Sequence, residues 1–195
     1  MSRGSIIALV VAAVLVLYGI SINNNLATKT QNVKAQWGDL QSAYQRRADL
    51  IPNLVNTVKG VANFEQSTLT AVIDARASAT QIKLSADDLT PENIARFQAA
   101  QSSLSGALGR LMAVSENYPQ LKATENFSTL QAQIEGTENR INVERGKFNG
   151  VVKDYNVDLV RFPASFIARI IGYHEKGYFE ADAGSDKAPK VDFTK

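Results

Sequence analysis

From Ile6 to Ile22 the chain is apolar at almost every position, whereas from Leu26 onward apolar residues recur every three or four positions among polar ones. The two patterns predict different surroundings. A run apolar on all sides suits lipid, and a stripe suits one buried helix face. As a helix the first run spans about 26 Å, just short of the ~30 Å hydrocarbon core of a bilayer, so Ser5 or Asn23 would sit near the headgroups. Eleven of its positions are Leu, Ile or Val, and none is charged. On an insertion scale these favour the bilayer by about 3 to 7 kcal/mol. A cleaved signal peptide is the competing reading, with Arg3 as its positive start and Gly19 and Ser21 near the cleavage site. The run exceeds the ~7–15 residues of a signal core and no Ala-x-Ala follows it, which favours a membrane span. Gly4, Ala8 and Ala12 fall four apart, a spacing that lets two such spans approach closely.

Beyond the span, Leu26, Val33, Trp37, Leu40, Tyr44, Ile51, Leu54, Val58 and Val61 keep a seven-residue register, interrupted at Thr30 and Arg47. This predicts one long amphipathic helix of coiled-coil character. Pro52 lies inside it and predicts a kink or a restart near Leu50 to Pro52, with Asp49 as the cap of the restarted part. A second helix is expected over roughly Phe64 to Lys83. Thr90, Pro91 and Glu92 then supply a cap, a first-turn proline and a carboxylate facing the dipole, which starts a third helix. Its stripe runs from Ile94 to Tyr118 and ends at Pro119. A fourth stripe, from Phe127 through Ile141 and Phe148 to Phe162, predicts a helix of about 36 residues stopped by Pro163. Ala164 to Ile171 forms a short fifth piece whose apolar face needs a partner, either the bundle end or a membrane surface.

No segment alternates with a period of two between hairpin turns, so the fold is expected to be all-α. The expected architecture is an N-terminal transmembrane helix followed by an elongated antiparallel bundle of about four long helices. The organisation follows as an anchor over residues 1–23, a helical bundle over 24–180 and a flexible tail over 181–195. Arg47, Thr137, Glu144 and Asp158 fall on seam positions, where polar residues set register.

Composition adds little to this picture and removes several options. With 45% hydrophobic and 21% charged residues the chain can bury one core. A net charge of +2 with both signs interspersed argues against a nucleic-acid surface. The five-residue leader with Arg3 favours the N-terminus inside and the body outside the cytoplasm. The absence of cysteine is compatible with an oxidising compartment.

Several longer motifs together point to a family. They are Arg46 to Gly60 (RRADLIPNLVNTVKG), Ala107 to Ala123 (ALGRLMAVSENYPQLKA) with Glu125 to Phe127, and Thr137 to Ile141 (TENRI), with Tyr155-Asn156, Phe162-Pro163 and the closing Gly172 to Glu180. In these motifs the sequence resembles the LemA family over nearly its whole length. The resemblance implies a bacterial, membrane-anchored helical domain and brings no catalytic residues with it.

The chemical inventory is sparse. There is no cysteine nucleophile and a single histidine, His174, expected to be a partly exposed residue of the closing turn. The isolated glycines Gly60, Gly106, Gly109 and Gly136 build no phosphate loop. Neither a catalytic centre, a metal site nor a cofactor is expected. Trp37 and Tyr44 are expected to be buried in the bundle. The densest polar grouping is Arg46, Arg47, Asp49 and Asn53 on the first helix, with Glu116, Asn117, Tyr118, Glu125 and Asn126 around the turn before the fourth. These nine residues either share a recognition surface at one bundle end or cap helices, with the arginines paired to Glu116 or Glu125.

The expected function is therefore a non-enzymatic, single-pass scaffold or adaptor of the bacterial envelope. It would sit in the inner membrane with its soluble domain outside the cytoplasm and act through self-association or another envelope protein. Phe166, Ile167, Ile170, Val191 and Phe193 are the candidate assembly contacts for homo-oligomers. A sensory or regulatory module that binds a small ligand or peptide at the polar bundle end is the alternative.

Overall fold

The computed structural model describes residues 2–61 and 64–181, and every element among them is a helix. These are α1 (Arg3–Lys59), α2 (Gln66–Gln81), α3 (Pro91–Ser115), α4 (Pro119–Lys122), α5 (Glu125–Val160) and α6 (Ala164–Ile171). The α5 and α6 bounds agree with the hydrophobic stripes. Thr90 caps α3 as its sequence suggests, its side chain accepting from the Asn93 amide, with Pro91 in the first turn. The tail beyond Ala181, with Val191 and Phe193, lies outside the described residues.

The helices form an antiparallel bundle. α1 lies against α5 along most of its bundle portion, and the register is fixed by Asn25 to Asp158, Gln36 to Glu144 and Arg47 to Glu138. α2 returns beside α1 and packs on α3. Arg47, Thr137, Glu144 and Asp158, the polar seam positions, are all buried.

α1 corrects one expectation. The helix passes through Pro52 without a restart, and Asp49 is an interior residue that accepts a hydrogen bond from Gln45 at 2.7 Å instead of capping a new helix. Proline at this position deprives the Ala48 carbonyl of its usual amide. The Arg76 guanidinium of α2 supplies the missing donor, with Nε 2.8 Å from that oxygen. Ile51, Leu54, Val55 and Val58, all buried, hold the last turns in line.

Two apolar cores stack along the rod. The one nearer the apolar span centres on Trp37, whose ring meets Phe97 at 5.4 Å, Phe148 at 5.6 Å and Phe179 at 6.4 Å. The distal one gathers Ile51, Leu54, Val58, Leu69, Leu104, Leu111 and Phe127. Trp37 and Tyr44 are thus core residues, as their positions on the stripe imply.

After α6, Gly172 adopts a left-handed conformation (φ 92°) and ends the helix. The chain then runs without regular secondary structure over residues 173–181 as a strap across the bundle. Three side-chain amides grip its backbone from both sides. Asn156 exchanges two hydrogen bonds with Lys176, Asn149 two with Phe179, and Gln98 two with Glu180. Gly177 donates to the Leu89 carbonyl, and a Cβ there would lie 2.8 Å from Pro91 Cα, so only glycine fits. His174 is exposed on this strap, while its carbonyl accepts from the Tyr155 hydroxyl.

Candidate functional site

Between the two apolar cores lies a polar layer built on Arg47. Its side chain is 1% exposed, one turn after Tyr44 and one before Ile51. The guanidinium donates to Glu138 at 2.6 Å, to the Ser105 hydroxyl at 2.7 Å and to the Gln101 amide oxygen at 2.5 Å. Gln101 in turn donates to the Ala79 carbonyl, so four helices meet in one network. Tyr44 borders the layer, with its ring 5.3 Å from the Arg47 guanidinium and its hydroxyl accepting from Arg145 at 2.7 Å. Burial pushes the Tyr44 hydroxyl above its ordinary pKa despite the two arginines. Arg47 Nε has no partner among the described residues. A buried charge linked to three side chains orders its neighbours by penalising any misalignment.

A second charged point lies on the α1–α5 face. The Glu144 carboxylate takes Lys147 at 3.1 Å, Gln36 at 2.6 Å and Arg140 at 2.8 Å. These donors, Lys147 first, hold it below the ordinary carboxylate range.

The nine polar residues named in the sequence do not form one surface. Arg47 is interior, and its ion pair is with Glu138, not with Glu116 or Glu125. The register of α1 on α5 brings Glu138 beside it, whereas Glu125 lies further along α1, beside Asn53 and Thr57. Glu116 pairs with Lys122 at 2.8 Å, and the Tyr118 ring packs on Phe64 at 4.9 Å. Asn117 is exposed on the same distal turn. Arg46, Asp49 and Asn53 line an open groove of about 970 Å³ between α1, α2 and α3, where Lys83 and Gln101 also reach the wall. Asn53 also borders a second groove of about 700 Å³ with Glu125 and Asn126. The interior positions were legible as breaks in the apolar stripe. Arg76 and the amide grip of Asn149, Asn156 and Gln98 were not, because their partners are backbone atoms that carry no sequence signal.

Of the expected assembly contacts, Ile167 packs against the core beside Ala168, whereas Phe166 and Ile170 are exposed. At the same end of the bundle, Tyr173 donates to Asn23 and Lys29 pairs with Asp158 at 2.6 Å.

The model of the LemA family matches residues 36–193. The magnetosome protein MamQ 2 of Paramagnetospirillum magneticum is 25% identical over 95% of this chain and 76% of its own length. MamQ of Magnetospirillum gryphiswaldense is 25% identical over 84% of this chain and 66% of its own length. Protein LemA of Metamycoplasma hominis is 24% identical over 73% of this chain and 61% of its own length.

Proposed function

The chain belongs to the LemA family, and from that premise we propose that it is a membrane-anchored, non-enzymatic helical scaffold of the bacterial envelope. The observation that supports this most is the continuity of α1. One helix carries both a stretch long and apolar enough to cross a membrane and the central wall of the bundle. The apolar stretch is almost wholly exposed, as a lipid-facing segment is, while the same helix is buried face-on from Leu26 onward. Such a molecule presents a stiff rod at a fixed place on a membrane. Its chemistry lies in interior ion pairs that align helices, and its action is through self-association or the docking of another envelope protein along the rod. Confinement to two dimensions raises the effective concentration of anchored copies, so weak lateral contacts become productive.

Two measurements test this reading. The full-length chain should stay in the membrane pellet through alkaline carbonate washing, and recovery of a soluble form that starts near Ile22 would overturn the anchor. Crosslinking in native membranes, followed by mass determination in mild detergent, should find oligomers or a co-purifying envelope protein. A lone monomer in both settings would refute the scaffold.

The groove that gathers Arg46, Asp49 and Asn53 supports a second reading, a regulatory module that binds a small ligand or peptide there. A ligand that raises the melting temperature of the wild type but not of Arg46→Ala would favour it.

A further inference from the structure

The outer face of α6 is apolar and uncovered. Phe166 is 68% exposed and Ile170 70%, four apart on one face of α6, and Phe162, in the turn just before the helix, is 84% exposed. Soluble surfaces scatter such residues singly; two large side chains on one face of an eight-residue helix, with a third in the turn that leads into it, call for an apolar surrounding.

Its position says which. α5 runs antiparallel to α1, and Asp158 near the end of α5 is held by Asn25 and Lys29, so the chain beyond Asp158 continues toward the apolar span. α6 then packs on α1 itself. Ala168 shares a buried cluster with Ile22 and Leu26, and the Tyr173 hydroxyl bonds Asn23 at 3.3 Å. The stripe therefore lies at the height where the lipid-type pattern of α1 ends. The Ile6 to Ile22 run, about 26 Å of a ~30 Å hydrocarbon core, fills the apolar layer to about Ile22, which sets the edge of that layer near the height of α6. Arg161 and Arg169, both exposed, flank the stripe and suit headgroup phosphates.

We propose that α6, with Phe162, Phe166 and Ile170, is a second membrane contact, an interfacial helix that lies in the headgroup–acyl boundary beside the exit of α1. The inference rests on the anchor reading above and goes beyond it, since a single tether needs no such contact. Continuity with the lipid-facing span favours a bilayer over a second copy of the chain as the occupant.

The chain has no cysteine, so single probes can be placed without background. Full-length Phe166→Cys, Ile170→Cys, Val143→Cys and Leu15→Cys variants would each carry an environment-sensitive fluorophore in vesicles of phosphatidylethanolamine and phosphatidylglycerol. Val143 is exposed on α5 well above the span, and Leu15 is inside it. Lipids brominated near the top of the acyl chain should quench the probes at 166 and 170 at least about threefold more than the probe at 143, as an interfacial helix requires. Equal quenching at all three positions overturns the proposal. So does protection at 166 and 170 from aqueous iodide that disappears when unlabelled lipid dilutes the protein, because a second copy would then be the cover. The probe at Leu15 separates the two readings: without its quenching by deep-brominated lipid the anchor itself fails, and with it only the α6 contact is in question.

Discussion

Pro52 and Arg76 show how a single missing proton is handled. Proline removes the amide that would satisfy Ala48, and an arginine from the neighbouring helix replaces it. Arg76→Ala should therefore cost about 1–3 kcal/mol, the penalty of a half-buried carbonyl left alone. In a Pro52→Ala background, where the amide returns, the same change should cost clearly less, and urea melts of the four variants, followed by the fluorescence of buried Trp37, measure the difference. Additive losses would sink this account. Arg47 is the stronger case. Arg47→Ala leaves Gln101 and Glu138 without their cation and should cost about 3 kcal/mol, with Arg47→Met milder because it refills the space. Glu144 adds a pH term. Its folded pKa lies below the ordinary 4.5, so its stabilising contribution is full above that value and is lost as pH falls through the folded value. Wild type and Glu144→Gln should then converge in stability at acid pH; a constant gap down to the lowest pH would refute it. Arg47 and Glu144 were readable as polar residues on an apolar seam, but their partners were not, since Glu138 and Gln101 come near Arg47 only through the register of the packed helices.

At the scale of elements, the stripes located α5 and α6 well because a 3.6-residue period is a local property of the chain. The proline in α1 was read locally too, as a kink or a restart; the helix does not restart there, and Arg76 of α2 supplies the donor that the proline removes. The strap had no periodic signature at all. Its hold on the bundle comes from Phe179 entering the Trp37 cluster and from the three amides that grip its backbone. Phe179→Ala should cost about 3–5 kcal/mol, and Gly177→Ala should lift the strap by forcing a Cβ into Pro91. Hydrogen exchange reads both: the amides of Lys176 and Phe179 should lose protection while those at the middle of α5 keep theirs. Unchanged protection on the strap in Gly177→Ala would show that the backbone adapts.

For the whole molecule, the prediction with the widest reach concerns the span. Arg at Val14 should impair insertion by about 2.5–3.5 kcal/mol at the helix centre, seen as a shift of protein from the pellet to the soluble fraction. A cysteine at Lys83 should react with a membrane-impermeant thiol reagent in cells with an opened outer barrier if the bundle lies outside the cytoplasm, and labelling only after inner-membrane lysis would reverse that orientation. Neither experiment depends on the polar layer, which governs alignment within the rod and not its address.

The unbroken course of α1 makes the protein a lever. α1 is a single helix from Ile22 to Lys59, so if its apolar end is held in a bilayer as proposed, a change in the inclination of that end swings the free end over an arm of ~55 Å. An inclination change of about ten degrees would carry the tip sideways by about 10 Å, roughly the diameter of a helix. Under the anchor reading, thickening, thinning or shear of the lipid around the span would thus become a lateral displacement at the tip.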